Sequence, residues 1–445
     1  MCPDGSSSPQ ATSGPIDHLV IVGNGMAGQR LVESLVRRNG APRRITLIGE
    51  EPCPAYNRIL LSPLLAGEME REDLTLRDAD WYVEHGVELV LGERVETIDR
   101  VARRLTTTSG REIDYDRLVL ATGSRPAMPP IPGLELDGVH AFRDLDDAAA
   151  LTRRAENGGR AVVIGGGLLG LEAAEGLRKR GMTVSIIQRD DRLMNRQLDV
   201  TAADLLEREL AGRGLEIVTG AQLDHLEDNG RGHVTAALLA DGRRLPAECV
   251  VVAIGIAPNV ALARTAGLDV NRAVVVDALL TSSDPAIHAL GECCEFAGQT
   301  YGLVEPIWRQ VEVLAARLAG ENAGDDAQAR YVEKPCATKL KVSGVSLYAF
   351  GAIEAEDGHE VLTYHDPEHG DYRRLLLRNG RLEGAVLYGD TAAGPWYFEQ
   401  SLAGRDLSAC RQALLFGQAD AKALLDDTTS KTPHHQDSSP QEEAA

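Results

Sequence analysis

No stretch of the chain approaches the roughly 18–20 consecutive apolar residues a membrane-spanning helix needs, so no membrane partner is expected. The N-terminus, MCPDGSSSPQATSGP, lacks the positive start and apolar run of a secretory signal, and a cytoplasmic location is expected. Positive charge is also in short supply: 46 Lys and Arg face 67 Asp and Glu, a net charge of −21. That balance argues against nucleic acid, because binding phosphates wants a basic stripe. It suits docking to a basic partner, or simply solubility. Only seven cysteines are present, and none forms CxxC or any other spacing that holds zinc or an iron–sulfur cluster. No metal is expected. Adjacent Cys293 and Cys294 can bridge only with strain, and the plain reading is small buried residues in a reduced compartment.

What is present begins with length: 445 residues are too many for one ordinary core and call for two or three domains. Residues 1–16 read as a disordered leader and 426–445 as a disordered tail. Part of the acidic charge lies in that tail, and His434 and His435 read as tail residues rather than metal ligands.

The first informative stretch is His18-Leu-Val-Ile-Val-Gly23-Asn-Gly25-Met-Ala27-Gly28, an apolar strand running straight into G-x-G-x-x-G. Ala27, Leu31 and Leu35 then recur at helical spacing, with Val32 and Val36 widening the face. A second strand, Ile45–Ile48, ends at Glu50. In such a unit Gly23 makes the tight turn, Gly25 lets backbone approach a pyrophosphate, and Gly28 lets helix and strand pack closely. The helix N-terminus favours the anion, and Glu50 is placed to accept hydrogen bonds from an adenosine ribose.

The unit recurs about 140 residues later. Arg160–Ile164 leads into Gly165-Gly-Gly167-Leu-Leu-Gly170, then a helix and the strand Thr183–Ile187. Two dinucleotide sites in one chain point to a flavin plus a nicotinamide rather than to a simple dehydrogenase. The acid expected after the second strand is missing: Gln188 and Arg189 stand there, followed by Asp190 and Asp191. Gln188 cannot repel the 2′-phosphate of NADPH and Arg189 can attract it, which leans toward dual use or NADPH; an Arg189 turned to solvent is the plain alternative.

Three further strands close the pattern: Asp116–Leu120 before Ala-Thr122-Gly123, Val250–Ile254 before Gly255-Ile-Ala-Pro-Asn259, and Ala286–Leu290 before Gly291-Glu292. Together they resemble the two-dinucleotide-domain flavoprotein reductases over about residues 17–325. Pro54–Ser62, Arg196–Asp199, Tyr301–Val304, Thr338–Gly344 and Gly384–Asp390 follow in order. With them the chain resembles the flavin region of assimilatory nitrite reductase large subunits, and equally the electron-transfer subunit of assimilatory nitrate reductases.

The resemblance implies an α/β fold with two Rossmann-like dinucleotide-binding domains, the NAD(P) domain inserted in the FAD domain, and a small α+β C-terminal domain. The expected boundaries are 17–122 with 246–325 for FAD, 123–245 for NAD(P) and 330–420 for the C-terminal domain. It also implies that Arg58, Val95, Thr122, Gly123 and Glu292 contact FAD. Glu172 then lies near the nicotinamide, in a pocket lined by Gly255, with a solvent-facing carboxylate as the plain alternative. Trp308 either covers the flavin pocket or belongs to a core or interface. The implied activity is transfer of a hydride from NADH or NADPH to FAD and of electrons to a redox partner protein. That partner is a nitrate reductase catalytic subunit or, in the alternative, a small iron–sulfur carrier served by a rubredoxin- or ferredoxin-type reductase.

Two departures bear on this. The iron–sulfur and sirohaem domains of nitrite reductase are not in these 445 residues, so nitrite reduction by them alone is not expected. Pro63 stands where related ferredoxin-reductase-type enzymes often carry a lysine, and no cysteine neighbours Ser62 to support thiol chemistry. A flavin-binding sensor or scaffold remains the non-enzymatic alternative.

Overall fold

The computed structural model describes residues 16–321, 330–342 and 344–429. Cys2, Ser343, His434 and His435, with nearly all of the expected leader and most of the tail, lie outside the described residues. The chain divides into two compact units, Met1–Arg189 with Leu215–Lys334, and Asp190–Gly214 with Pro335–Ala445.

The larger unit is built on a repeated plan. Strand β1 (His18–Val22) leads through the first glycine loop into helix α1 (Met26–Val36), and strand β2 (Arg44–Ile48) lies parallel to β1 with Val22 opposite Ile48. These two strands sit in a five-stranded parallel sheet ordered Ile287–Ala289, Arg117–Leu120, β1, β2, Val87–Val90. The short helix α2 (Leu61–Leu65) follows. Strand β3 (Arg160–Ile164), helix α3 (Leu168–Lys179) and strand β4 (Thr183–Ile187) then repeat the pattern, with Ile164 opposite Ile187. Their sheet is ordered Glu216–Val218, β4, β3, Cys249–Val252, Val139–His140, again parallel throughout.

Parallel strands covered on both faces read as continuous apolar runs, which is why HLVIV and RAVVI carry so little alternation. Leu19, Val20, Ile21, Val162 and Val163 are all fully buried. The first sheet takes its last strand from Ile287–Ala289, after the second sheet is complete, so the second dinucleotide fold is inserted in the first. The two exits from the sheets, Ser124–Pro126 and Ile256–Pro258, pair antiparallel side by side. A longer helix, α4 (Val304–Leu318), buries Ile307, Val311 and Leu314 in the same core as α1 and the first sheet.

The smaller unit holds a five-stranded antiparallel sheet ordered Thr338–Val342, Val345–Gly351, Arg381–Tyr388, Asp371–Arg378, Glu360–Asp366. Phe350, Leu375 and Leu387 from that sheet pack with Trp396 and Tyr397 of the helix Gly394–Leu402. Residues 190–214, expected in the NAD(P) segment, group with this unit. Their helix Val200–Gly212 starts at Asp199, whose buried carboxylate accepts hydrogen bonds from the Tyr372 hydroxyl at 2.8 Å and from Arg374 at 3.1 Å.

Candidate functional site

The two glycine loops divide their labour identically. Gly23 has φ +120°, and a Cβ there would meet the carbonyl oxygen of Ala121 at 2.1 Å; Gly165 has φ +116° and would meet that of Ala253 at 2.4 Å. A Cβ on Gly28 would lie 2.1 Å from the Gly23 oxygen, and one on Gly170 1.9 Å from the Gly165 oxygen. These first and third glycines are therefore required by the chain itself. The middle glycines are not: a Cβ on Gly25 or Gly167 meets nothing within 4 Å. Both cap their helices without any side-chain hydrogen bond to the first turn. Each loop thus offers a helix N-terminus with clear backbone, the arrangement a pyrophosphate requires. Beside the first loop, Asn24 Oδ1 and Gln310 Nε2 are buried without protein partners, which leaves hydrogen-bonding capacity there. The residues present fit two dinucleotides.

Gly291 closes over the first loop: its N–H donates to Gln310 Oε1 at 2.8 Å, and a Cβ on it would lie 3.3 Å from that of Ala27. Next to it, the Glu292 carboxylate accepts a hydrogen bond from Ser124 Oγ at 2.7 Å and pairs with Arg143. Arg143 offers its carbonyl to Arg58 at 3.0 Å, and Arg58 in turn pairs with Glu51 and lies 4.8 Å from the Tyr56 ring centroid. Thr122 and Gly123 are tied to the other exit strand: Asn259 donates through Nδ2 to the Thr122 oxygen at 2.8 Å and through its backbone N–H to the Gly123 oxygen at 2.9 Å. Gly255, at φ +125°, accepts from the Ala127 N–H at 3.0 Å.

Glu172, in the first turns of α3, is half-buried and accepts from Ser62 Oγ at 2.5 Å. Burial pushes its carboxyl above the usual range, and the Ser62 hydroxyl opposes that by bonding the charged form. The surrounding α2–α3 contact is close: a Cβ on Gly176 would approach the Leu65 side chain to 3.0 Å, and Arg180 binds the carbonyls of Leu64 and Leu65. At the ends of the second strands, Glu50 is exposed, 3.6 Å from Arg94, and Arg189 is exposed as well. Val95 is buried at the start of the strand Val95–Asp99. Gln188 is buried, its Oε1 accepting the Gly166 N–H at 2.8 Å.

Arg143, Ser124 and Asn259 complete this constellation and were not singled out as site residues in the sequence, because no motif marks a polar side chain that arrives by tertiary pairing. Trp308 is partly buried against the core with Arg30 5.7 Å from its ring. Cys293 and Cys294 are buried free thiols, Cys293 donating to the carbonyls of Leu120 and Leu290. Among the described residues no group of three or more His, Cys, Asp or Glu could hold a metal ion.

Two dinucleotide folds, one inserted in the other, with a glycine loop open at its middle position in each, define a two-nucleotide oxidoreductase. Residues 17–314 match the pyridine nucleotide-disulphide oxidoreductase family, and the chain belongs to it. Residues 336–400 match the rubredoxin NAD+ reductase C-terminal domain. The chain is 38% identical over 397 residues to the assimilatory nitrate reductase electron transfer subunit of Bacillus subtilis (strain 168), covering 89% of this chain and 51% of that protein. It therefore spans about half the length of that relative. It is 40% identical over 376 residues to the biphenyl dioxygenase system ferredoxin–NAD(+) reductase component of Paraburkholderia xenovorans (strain LB400), covering 83% of this chain and 90% of that one. In the covalent putidaredoxin reductase–putidaredoxin complex, a chain 28% identical superposes with a TM-score of 0.81 over 93% of this chain and 99% of that chain. The protein is an FAD- and NAD(P)H-dependent oxidoreductase.

Proposed function

We propose that this chain accepts a hydride from NADH or NADPH and passes the electrons to a protein partner, as the electron-transfer subunit of an assimilatory nitrate reductase. The observation that carries the reading is the pair of glycine loops with open middle positions in one compact unit. FAD supplies the hydride acceptor and can release electrons singly, which suits a metal-centred partner.

The first loop, with Gly23, Gly25, Ala27, Gly28 and Glu50, holds the adenosine half of FAD. Arg58, Val95, Thr122, Gly123, Gly291 and Glu292 also contact FAD, the Arg143 and Ser124 contacts fixing where the Glu292 carboxylate points. Gly165, Gly167, Gly170, Gln188 and Arg189 form the nicotinamide-nucleotide site, with Gly255 and Glu172 toward its reacting end. Hydride transfer needs the two rings about 3–3.5 Å apart and aligned, so these residues position rather than exchange protons, and no general base is assigned.

Thiol chemistry finds little support: Cys53 lies outside α2, and burial pushes its thiol up rather than down. No described helix is long and apolar enough to cross a membrane, and the proposed place of work is the cytoplasm. A second reading, a rubredoxin- or ferredoxin-type reductase serving another small carrier, is favoured by the C-terminal match over 336–400.

Anaerobic titration of the yellow holoprotein with NADH and with NADPH tests the core of this. Stoichiometric bleaching is expected; a flavin that stays oxidised with both sinks the reductase reading and leaves a binding or sensing role. Reduction of a nitrate reductase catalytic subunit against that of small iron–sulfur carriers then separates the two partner readings.

A further inference from the structure

The residues that follow β2 and β4 can be equated atom by atom. The Gly23 N–H donates to the Ile48 carbonyl and the Gly165 N–H to the Ile187 carbonyl, both at 2.8 Å. One residue on, the Gly49 N–H donates to Val90 at 2.8 Å and the Gln188 N–H to Val218 at 2.9 Å. Gln188 is thus the counterpart of Gly49, and Arg189 the counterpart of Glu50.

The side chains explain the exchange. In the first half, the loop residue Asn24 fills the space over the strand end, so close that a Cβ on Gly49 would meet its Cβ at 2.6 Å. In the second half the loop residue is Gly166, and Gln188 fills the same space from the strand side by accepting the Gly166 N–H. Gln188 therefore braces the loop, and the exposed side chain left at the strand end is Arg189. Of the acids that follow, Asp190 accepts from Asn195 at 3.0 Å, and Asp191 lies 3.7 Å from Arg192.

We propose that Arg189 reads the 2′-position of the adenosine ribose at the second loop and makes NADPH the preferred hydride donor. This rests on the second loop being the nicotinamide-nucleotide site. A carboxylate at the strand end accepts from a 2′-hydroxyl and repels a 2′-phosphate; a guanidinium does the opposite and can grip the phosphate with two N–H groups.

The test is calorimetric binding of adenosine 2′,5′-bisphosphate and of 5′-AMP to the FAD-loaded protein, which reads recognition without turnover. The bisphosphate is expected to bind at least about tenfold tighter, a gap that narrows with salt. Arg189→Ala is expected to abolish the gap while leaving 5′-AMP within about twofold, and Arg189→Glu to reverse it. Retained flavin and an unchanged melting temperature show that the variants fold. Equal binding by the wild type, or a gap that survives in Arg189→Ala, overturns the assignment of Arg189 alone. Binding of neither fragment overturns the assignment together with the function it rests on.

Discussion

The hydroxyl of Ser62 donates to the carboxylate of Glu172 across 2.5 Å, joining the short helix that follows the first dinucleotide motif to the helix that opens the second. The bond favours the ionised carboxylate, whereas burial favours the neutral acid. Removing the hydroxyl leaves burial unopposed. Ser62→Ala is expected to move the Glu172 titration to higher pH, read as an upward shift of the acid limb in the pH profile of hydride transfer from NAD(P)H. An unshifted profile would show that the charge on Glu172 plays no part in hydride transfer.

The glycine loops predict a contrast between neighbouring substitutions. Gly28→Ala forces a Cβ to within 2.1 Å of the Gly23 oxygen and is expected to lower the melting temperature. Gly25→Ala meets nothing in the protein, so the fold should hold while FAD retention falls. Thermal melts with flavin content measured after gel filtration separate the two, and equal retention in Gly25→Ala would remove the first loop from the FAD site.

Glu292 depends on Arg143 for its ion pair, and both side chains are largely shielded from solvent. Arg143→Ala leaves the carboxylate with Ser124 as its remaining bond in this cluster and is expected to destabilise the protein by roughly 1–3 kcal/mol. Denaturant melts of the FAD-loaded protein measure this, and Glu292→Gln in the same background should recover part of the loss.

His288, in the edge strand Ile287–Ala289, is buried, and that burial, with Arg317 and Arg117 nearby, holds its pKa down at about 3 against an ordinary 6.5. The unfolded chain therefore takes up a proton, below about pH 6.5, that the folded one refuses. Folding stability is expected to fall as pH drops from about 6.5 toward 3, by at most about 1.4 kcal/mol per pH unit from this residue. Denaturant melts across that range, compared with His288→Gln, should show a shallower slope in the variant.

The local order of events was legible in the residues. Strand, glycine loop, helix and second strand each carry their own signal, since apolar continuity and glycine spacing act over a few neighbouring residues, and both dinucleotide folds form where those signals stand. What the tertiary structure alone decided is which way individual polar side chains face. Gln188 and Arg189 are adjacent and both polar in the sequence, yet one is buried against Gly166 and the other is exposed, because only the packed loop reveals that the space Asn24 fills in the first half is left by Gly166 for Gln188 to fill in the second. Residues 190–214 follow the same rule: Asp199 makes no side-chain capping bond in its own helix and instead accepts hydrogen bonds from Tyr372 and Arg374, more than 170 positions away. Pairings over such distances leave no periodicity in the chain, and packing creates them.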